Sequence, residues 1–271
     1  MKSGALAAPP AASAEVPLWH RYPSRVGTFC LVELQKLSHD RKELFTRAVQ
    51  PILWLVVFGE TFNKLHAIPT GNVPYLDFLA PGVIAQSGLF VAIFYGIQII
   101  WERDAGVLTK LLVTPTPGSA FVLGKAFAAG IRAMAQVVFV LIVAALLGVA
   151  LTYDPLKILG SFLIVLLGAA FFSCLSMTIA GIVLKREQLM GIGQMITMPL
   201  FFASNALYPV AIMPGWVRFL SRINPLSYEV DALRALLIGT AANLWIDFGV
   251  LLLAVTVGVT VASSLIDRLA R

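Results

Sequence analysis

The sequence predicts an all-α membrane protein with six transmembrane helices, and this prediction depends on its composition and its long apolar segments. Of the 271 residues, 59% are hydrophobic and only 13% are charged, whereas soluble domains carry about 25% charged residues. A soluble fold of this length could not hide so much apolar surface, so lipid is expected to cover much of it. The chain is therefore interpreted as a polytopic membrane protein.

Six apolar segments are candidates for crossing the bilayer, which requires about 20 predominantly apolar residues in a helix. Four of them reach that length readily. The first is short and opens with Pro51, and the fifth is interrupted by Pro199, so these two are the marginal members of the set. The predicted spans are residues 48–62, 75–101, 121–151, 156–184, 188–207 and 244–266.

The N-terminal region is predicted to lie outside the bilayer. Residues 1–20 are rich in alanine and proline, which predicts a disordered cytoplasmic tail, and residues 21–271 are assigned to one transmembrane domain. Within about 22–45, apolar residues recur at helical spacing among basic ones, which favours an interfacial helix. Lysine and arginine concentrate in the segments that are cytoplasmic when the N-terminus is inside, so both termini are predicted to be cytoplasmic. The same rule accounts for the basic net charge without a nucleic-acid partner.

Acidic residues are absent from the middle of every predicted span, since Glu60 and Asp77 lie near span ends. A carrier coupled to protons or sodium commonly keeps ionisable groups near the midplane, so this pattern argues against secondary transport. The histidines are too scattered for a metal site, and no hydrolase motif occurs. The sequence therefore predicts neither a metal ligand nor a catalytic residue. The three histidines are His20, His39 and His66.

One segment superficially resembles a phosphate-binding loop. Five residues separate Gly118 from Gly124, and Ala126 follows Lys125. The phosphate-binding motif needs four residues between the glycines and a serine or threonine after the lysine, whose hydroxyl holds magnesium. We therefore expect no nucleotide site on this chain, so any ATP-derived energy must come from a partner.

The segment 101–125 carries the first distinctive motif. A charged cluster that begins at Glu102 precedes a short amphipathic helix, and the prolines of Thr114-Pro115-Thr116-Pro117 end that helix. The pattern is typical of a rigid helix held beneath the membrane between two spans, with a plain interfacial loop as the alternative. The apolar side of the predicted helix consists of Val107, Leu108, Leu111 and Leu112.

The segment 205–234, between the last two predicted spans, carries the second motif. Pro209, Pro214 and Pro225 break it into short pieces. The pattern predicts two short helices that dip into or lie on the outer leaflet, where tryptophan and tyrosine favour the headgroup level. One of these helices presents an apolar face made of Trp216, Phe219, Leu220 and Ile223.

Both motifs resemble those of ABC transporter permeases of the type-2 export family, which includes exporters of drugs, polyketides, lipid-linked glycans and nodulation factors. The resemblance extends over about residues 22–266. In the first motif it is carried by Glu102, Gly106, Leu108, Leu111, Leu112, Thr114, Pro115, Gly124 and Lys125. In the second it is carried by Pro209, Pro214, Trp216, Asn224, Pro225, Leu226, Ser227, Tyr228, Asp231 and Arg234.

The resemblance implies an export mechanism. A separate ATP-binding-cassette ATPase subunit would hold ATP and magnesium, a second permease copy or a paralogue would complete the path within the plasma membrane, and membrane lipid would surround both. Coupling to the ATPase would use Glu102, Gly106, Val107, Leu108, Leu111, Leu112 and Pro115. The outer gate would be built from Pro209, Pro214, Trp216, Asn224, Pro225, Tyr228 and Arg234.

A few amides within or next to the apolar spans are candidates for lining the transport path. Such a lining suits amphipathic drugs, polyketides, lipids or glycolipids, and the alternative is that each amide bonds a neighbouring helix. The rival functions are a gradient-driven carrier or channel and a membrane enzyme of lipid metabolism. The candidate path-lining residues are Gln86, Gln136, Gln194 and Asn205.

Overall fold

The computed structural model describes residues 26–28, 31, 35, 46, 49–65, 68–71, 73–106 and 118–270, with side chains through residue 266. The predicted tail at 1–20, most of the predicted interfacial helix and residues 107–117 lie outside the described residues. In chain order, the helices are a π-helical turn (Trp54–Gly59), α1 (Glu60–Leu65), α2 (Tyr75–Ile97), α3 (Ile99–Asp104), α4 (Gly118–Leu146), α5 (Pro155–Val183), α6 (Arg186–Phe202), a 3₁₀ turn (Val210–Ile212), α7 (Gly215–Ile223), α8 (Pro225–Ile238) and α9 (Leu244–Ala270).

Four helical stretches in the described part of the chain are long and apolar enough to cross a membrane. They are Tyr75–Asp104, Gly118–Leu146, Pro155–Val183 and Leu244–Ile266. They correspond to the second, third, fourth and sixth predicted spans. The fold is therefore all-helical in its described residues, with these four stretches as its apolar scaffold.

The first and fifth predicted spans depart from regular spanning helices in the described structure, and the fifth is shorter than the sequence interpretation expected. Residues 49–65 are helical, but six of them form the π-helical turn. The fifth predicted span corresponds to α6, which ends at Phe202 rather than at residue 207. This end lies three residues after the internal Pro199. Since proline has no N–H to donate and clashes with the preceding turn, the helix does not continue far beyond it. Neither segment meets the length and hydropathy of the other four.

Helix α2 lies at the centre of the bundle. It packs against α4, α5 and α8, and more lightly against α6 and the π-helical turn. Nearly all of its side chains are buried, whereas only 22% of the apolar window of α9 is buried. Helix α3 continues α2 after a single turn residue, Gln98, whose N–H still bonds the carbonyl oxygen of Phe94.

The start of α5 follows directly from local sequence. Asp154 caps α5, because its carboxylate accepts a hydrogen bond from Leu156 N at 2.9 Å. Pro155 then occupies the first helical position, where its missing N–H leaves no hydrogen bond unmade. Residues 153–155 thus form the turn that leads into α5.

Glycines of α2 allow close packing within the chain. A Cβ added at Gly96 would lie 2.6 Å from Ser176 Cβ and 2.7 Å from the carbonyl oxygen of Ser173 on α5. The Ser176 hydroxyl meanwhile donates to the carbonyl oxygen of Ile93 on α2 at 2.7 Å. Small residues at this crossing therefore bring α2 and α5 into backbone contact, as in other membrane helix pairs.

We predict that Gly96→Ala lowers the thermal stability of the purified chain. The new methyl group meets backbone atoms of α5 that cannot move aside alone, and such overpacking typically costs about 1–3 kcal/mol, more than the gain of about 1 kcal/mol in helix propensity. Gly249→Ala is the matched control, because nothing lies within 4 Å of its added Cβ. Equal unfolding midpoints for the two variants would contradict the close packing.

Candidate functional site

The first motif is tied together by a buried ion pair. Lys125 Nζ on α4 lies 2.8 Å from Glu102 Oε1 on α3, and the Lys125 side chain is only 2% exposed. These residues flank the segment 107–117. The pair therefore joins the two ends of the predicted coupling segment and fixes α3 against the start of α4.

Aromatic rings surround the buried ammonium group. Lys125 Nζ lies 4.9 Å from the centroid of the Tyr95 ring and 5.7 Å from that of Phe121. The guanidinium of Arg132 lies 4.7 Å from the same Tyr95 centroid. Cations close to aromatic faces are stabilised by the ring quadrupole, so two positive charges are accommodated at this end of the bundle. The sequence carries a signal for this ion pair, because Lys125 lies in an apolar helix shortly after the acidic cluster that contains Glu102.

The remaining predicted coupling residues are only partly described. Gly106 follows α3 with φ of 69°, a left-handed conformation that glycine adopts without steric cost. It therefore lets the chain turn away from α3. Val107, Leu108, Leu111, Leu112 and Pro115 lie outside the described residues, so their predicted helix and its apolar side remain a prediction.

Arg234 is the centre of the second motif. Its Nε donates to the carbonyl oxygen of Phe78 on α2 at 3.2 Å, and its Nη2 donates to those of Asn205 and Ala206 at 2.7 and 3.2 Å. The guanidinium also lies 3.6 Å from the centroid of the Phe78 ring. These contacts fasten α8 and the turn after α6 to the first helical turns of α2.

Neighbouring contacts reinforce this junction. Tyr75 Oη donates to the carbonyl oxygen of Leu207 at 3.1 Å, and Asn205 Nδ2 donates to Asp231 Oδ1 at 2.6 Å. A Cβ at Gly82 would clash with the backbone of Ala206, lying 2.9 Å from its carbonyl carbon. Glycine is therefore required where α2 meets this turn.

Asn224 and Pro225 start α8 in the same way as Asp154 and Pro155 start α5. Asn224 Oδ1 accepts from Leu226 N at 3.1 Å, and its Nδ2 donates to the carbonyl oxygen of Leu200 at 2.7 Å. Pro225 occupies the first helical position. Tyr228 Oη donates to the carbonyl oxygen of Arg222 at 2.6 Å. The asparagine-proline pair thus caps α8 and also ties it to the end of α6.

Helix α7 has one buried side and one exposed apolar side. Val217 and Ser221 are buried, whereas Trp216 is 70% exposed. Pro214 directly precedes α7 and its carbonyl oxygen accepts from Arg218 N, while Pro209 precedes the 3₁₀ turn. Tyr208 Oη donates to the carbonyl oxygen of Phe202, and burial raises the pKa of this hydroxyl. The exposed side consists of Trp216, Phe219, Leu220 and Ile223, the face that the sequence predicted.

The structure separates the four candidate path-lining residues into three places. Gln86 and Gln136 are buried and line one cavity of about 250 Å³. Asn205 is buried in the Arg234 junction, where its amide bonds Asp231. Gln194 is exposed on α6. Only the first two therefore come together within this chain.

Glu229 is a buried carboxyl that the sequence interpretation missed. It is 0% exposed, and neither carboxylate oxygen has a hydrogen-bond partner among the described residues. A Cβ at Gly88 of α2 would lie 3.7 Å from its Oε1, and one at Gly168 of α5 would clash with the carboxylate. Both glycines lie near the middle of candidate spans.

The position of Glu229 corrects the argument against ion coupling. No acidic residue belongs to the middle of a predicted span, but α8 brings one there from the segment that the sequence assigned to the outer surface. The hydropathy of α8 gave no sign of this depth, because the helix also carries Asp231 and Arg234. The absence of acids from the spans therefore does not exclude secondary transport.

The two motifs lie at opposite ends of one helical rod. Phe78, which holds Arg234, and Glu102, which pairs with Lys125, are separated by 24 residues of α2 and α3. At 1.5 Å per residue this corresponds to about 36 Å, which exceeds the hydrocarbon thickness of a bilayer of about 30 Å. One rod thus reaches from one motif to the other.

Four helices of spanning length define a polytopic integral membrane protein. The family model described as ABC-2 type transporter matches residues 26–238, and the chain belongs to this family of transport permeases. It is 30% identical over 196 residues to the putative transport permease ycf38 of Cyanophora paradoxa, with 71% of this chain and 67% of that protein covered.

Two further relatives carry more specific names. The chain is 26% identical over 239 residues to the daunorubicin resistance ABC transporter permease protein DrrB1 of Streptomyces coeruleorubidus, covering 88% of this chain and 83% of that protein. It is 26% identical over 221 residues to nodulation protein J of Rhizobium leguminosarum bv. viciae, covering 80% and 84%. The family that the two motifs indicated is confirmed.

We predict that Glu102→Gln lowers the stability of the purified chain more than Lys125→Met does. Loss of Glu102 removes the carboxylate that faces the deeply buried ammonium group, and breaking a buried pair in this way costs about 3 kcal/mol or more. Loss of Lys125 leaves a carboxylate that is 18% exposed and can gain water. Thermal unfolding in detergent measures both effects.

The double variant Glu102→Gln/Lys125→Met serves as the control for this pair. Because it removes both charges, it is expected to recover part of the stability lost in Glu102→Gln. An additive effect of the two substitutions would show that the residues do not interact.

Proposed function

We propose that this chain is the permease subunit of an ATP-binding-cassette exporter that moves amphipathic substrates, such as drugs, polyketides, lipids or glycolipids, across the plasma membrane. A separate ATPase subunit binds ATP and magnesium, and a second permease copy or a paralogue completes the path. The observation that carries the proposal is the placement of the two family motifs at opposite ends of the α2–α3 rod, each fixed by a buried cation.

The proposed topology has six spans and two cytoplasmic termini. The segments at 49–65 and 186–202 serve as the first and fifth spans, completed by neighbouring helices of the assembly. The Lys/Arg distribution supports this orientation, since it places Lys125 inside and Arg218 outside. Helix α7 then dips into the membrane from the outer leaflet, with Trp216 at headgroup level at its start. Helix α8 leads back outward from its deepest end, which is near Glu229.

The proposed mechanism uses the rod as the mechanical link for alternating access. The segment 107–117 receives a push from the ATPase, and the Glu102–Lys125 pair passes it to α2 and α4 together. At the outer end, the hydrogen bonds from Arg234 to Phe78 and Asn205 transfer movement of α2 to α8. Helices α7 and α8 then act as the outer gate.

Purification of the tagged chain from its own host in a mild detergent tests this proposal. We expect mass spectrometry to identify an ATPase with a phosphate-binding loop in stoichiometric amount. We also expect its recovery to fall at least several-fold when Glu102→Gln is combined with polar substitutions of Val107, Leu108, Leu111 and Leu112, since these remove the proposed docking helix.

Lys157→Met is the matched control, because it removes one positive charge at the other end of the bundle and should leave ATPase recovery unchanged. All variants are compared at equal amounts of folded, monodisperse permease. A folded chain that brings down no such ATPase would overturn the coupling argument.

A gradient-driven carrier is the second candidate function, and Glu229 is the observation that favours it. A buried carboxyl with no hydrogen-bond partner in the described part of the chain can bind and release a proton, and such residues mark proton pathways in many carriers. In that case export would be driven by the proton gradient, and Glu229 would be essential.

Transport by inside-out vesicles separates the two candidates. With an amphipathic fluorescent dye as probe, we expect ATP-dependent uptake that survives collapse of the proton gradient and is largely retained in Glu229→Gln, which keeps the shape of the side chain without its ionisation. Uptake that needs the gradient, ignores ATP and is lost in Glu229→Gln would favour the carrier instead.

A further inference from the structure

Two buried glutamines face one cavity without hydrogen-bond partners. Gln86 of α2 is 2% exposed and Gln136 of α4 is 0% exposed, and both line the cavity of about 250 Å³. None of their four amide oxygen and nitrogen atoms has a partner among the described residues. Since buried polar groups are normally paired, these amides mark a site that is completed by something else.

The chemistry of the two amides indicates what completes it. Each amide offers a donating NH₂ group and an accepting oxygen. A cationic head accepts no hydrogen bond and a fully ionised anionic head donates none, so either would leave part of the site unpaired. A neutral head with two or more hydroxyls, or with one carboxamide, carries enough donors and acceptors to pair with all four atoms.

An apolar groove continues from this cavity. Thr46 and Gln50 line both, and the groove of about 570 Å³ runs along the helix that includes the π-helical turn. Its other walls are apolar, and most of them are half exposed. They are Val49, Leu53, Trp54, Val57 and Phe58. A polar cavity thus opens directly into a groove of the kind that holds an alkyl chain.

We propose that the cavity and the groove together bind a neutral-headed amphiphile, with its hydroxyl- or amide-bearing head between Gln86 and Gln136 and its alkyl chain against Leu53 and Val57. The cavity corresponds to the volume of roughly eight waters at about 30 Å³ each, so it accommodates more than a single polar atom. The groove sets the direction in which the alkyl chain of the bound amphiphile runs.

The position of this site fits a substrate site. Along the rod, Gln86 lies 8 residues from Phe78 and 16 from Glu102, or about 12 and 24 Å. The site therefore lies between the outer gate and the coupling end. Its role in export rests on the proposed function, whereas the binding itself does not.

Photo-crosslinking of the full chain in phosphatidylcholine nanodiscs tests the binding directly. Three probes carry the same diazirine-bearing octyl chain and differ only in the head: glucoside, sulfate or trimethylammonium. We expect the glucoside alone to label residues 49–58 in a saturable manner, and unlabelled octyl glucoside to compete with it. Mass spectrometry of the digested chain locates the labels.

The double variant Gln86→Leu/Gln136→Leu removes the four unpaired polar atoms at nearly constant volume. Because two or more hydrogen bonds to the head are lost, we expect labelling by the glucoside to weaken by about tenfold. Labelling by the other two probes should not change. Gln188→Leu is the matched control, since this glutamine is exposed on α6. Labelling of this variant should equal that of the parent chain.

Several results would overturn the proposal. Equal labelling by all three heads would identify the groove as ordinary lipid-facing surface, and preferred labelling by the sulfate would identify an anion site. Crosslinks from 49–58 to a second copy of the chain, in place of the probe, would identify a subunit interface. Competition on the parent chain decides the question even if the double variant does not fold. Since no ATPase is needed, failure here is distinguishable from failure to recover an ATPase.

Discussion

The guanidinium of Arg234 donates hydrogen bonds to the carbonyl oxygens of Phe78, Asn205 and Ala206, and the position of α8 depends on them. A buried arginine remains charged and needs acceptors that water cannot supply. The carbonyls of Asn205 and Ala206 are free to accept because the chain is irregular after α6. Arg234 therefore supplies the hydrogen-bond donors that these two carbonyl oxygens lack after the end of α6. The same two oxygens supply acceptors that the buried guanidinium needs. Irregular backbone at this depth is tolerable because protein covers it.

With α8 fixed in this way, its first turns extend into the bundle and bring Glu229 between Gly88 and Gly168. The two glycines provide space for a carboxyl group but no hydrogen-bond donor, so the charged form has little to stabilise it there. A neutral, protonated Glu229 is compatible with this surrounding. The same carboxyl is thus a packing element in an exporter and the obvious proton site in a carrier, and only its replacement by glutamine distinguishes the two.

Sequence reasoning predicted the parts of the fold that hydropathy and local chemistry determine. The four long spans were correct, and Pro225, which was predicted to break the outer segment, follows a capping asparagine at the start of α8. The depth of α8 within the helix bundle could not be predicted. Helix α8 carries Glu229, Asp231 and Arg234, so its composition is that of a surface helix, and only long-range contacts with Phe78 and Gly168 place it in the bundle.

Two side-chain pairs connect the same two helices at different depths. Glu102 follows α2 directly and Lys125 belongs to α4, and they form the buried ion pair; Gln86 of α2 and Gln136 of α4 face the cavity. Any force that shifts α2 relative to α4 through the ion pair must therefore change the distance between the two amides. A ligand that bonds both amides would favour one relative position of the helices. By reciprocity, a change imposed at the ion pair would alter the affinity for that ligand. In the proposed exporter, coupling of ATP hydrolysis to substrate release would need no longer pathway than this one pair of helices.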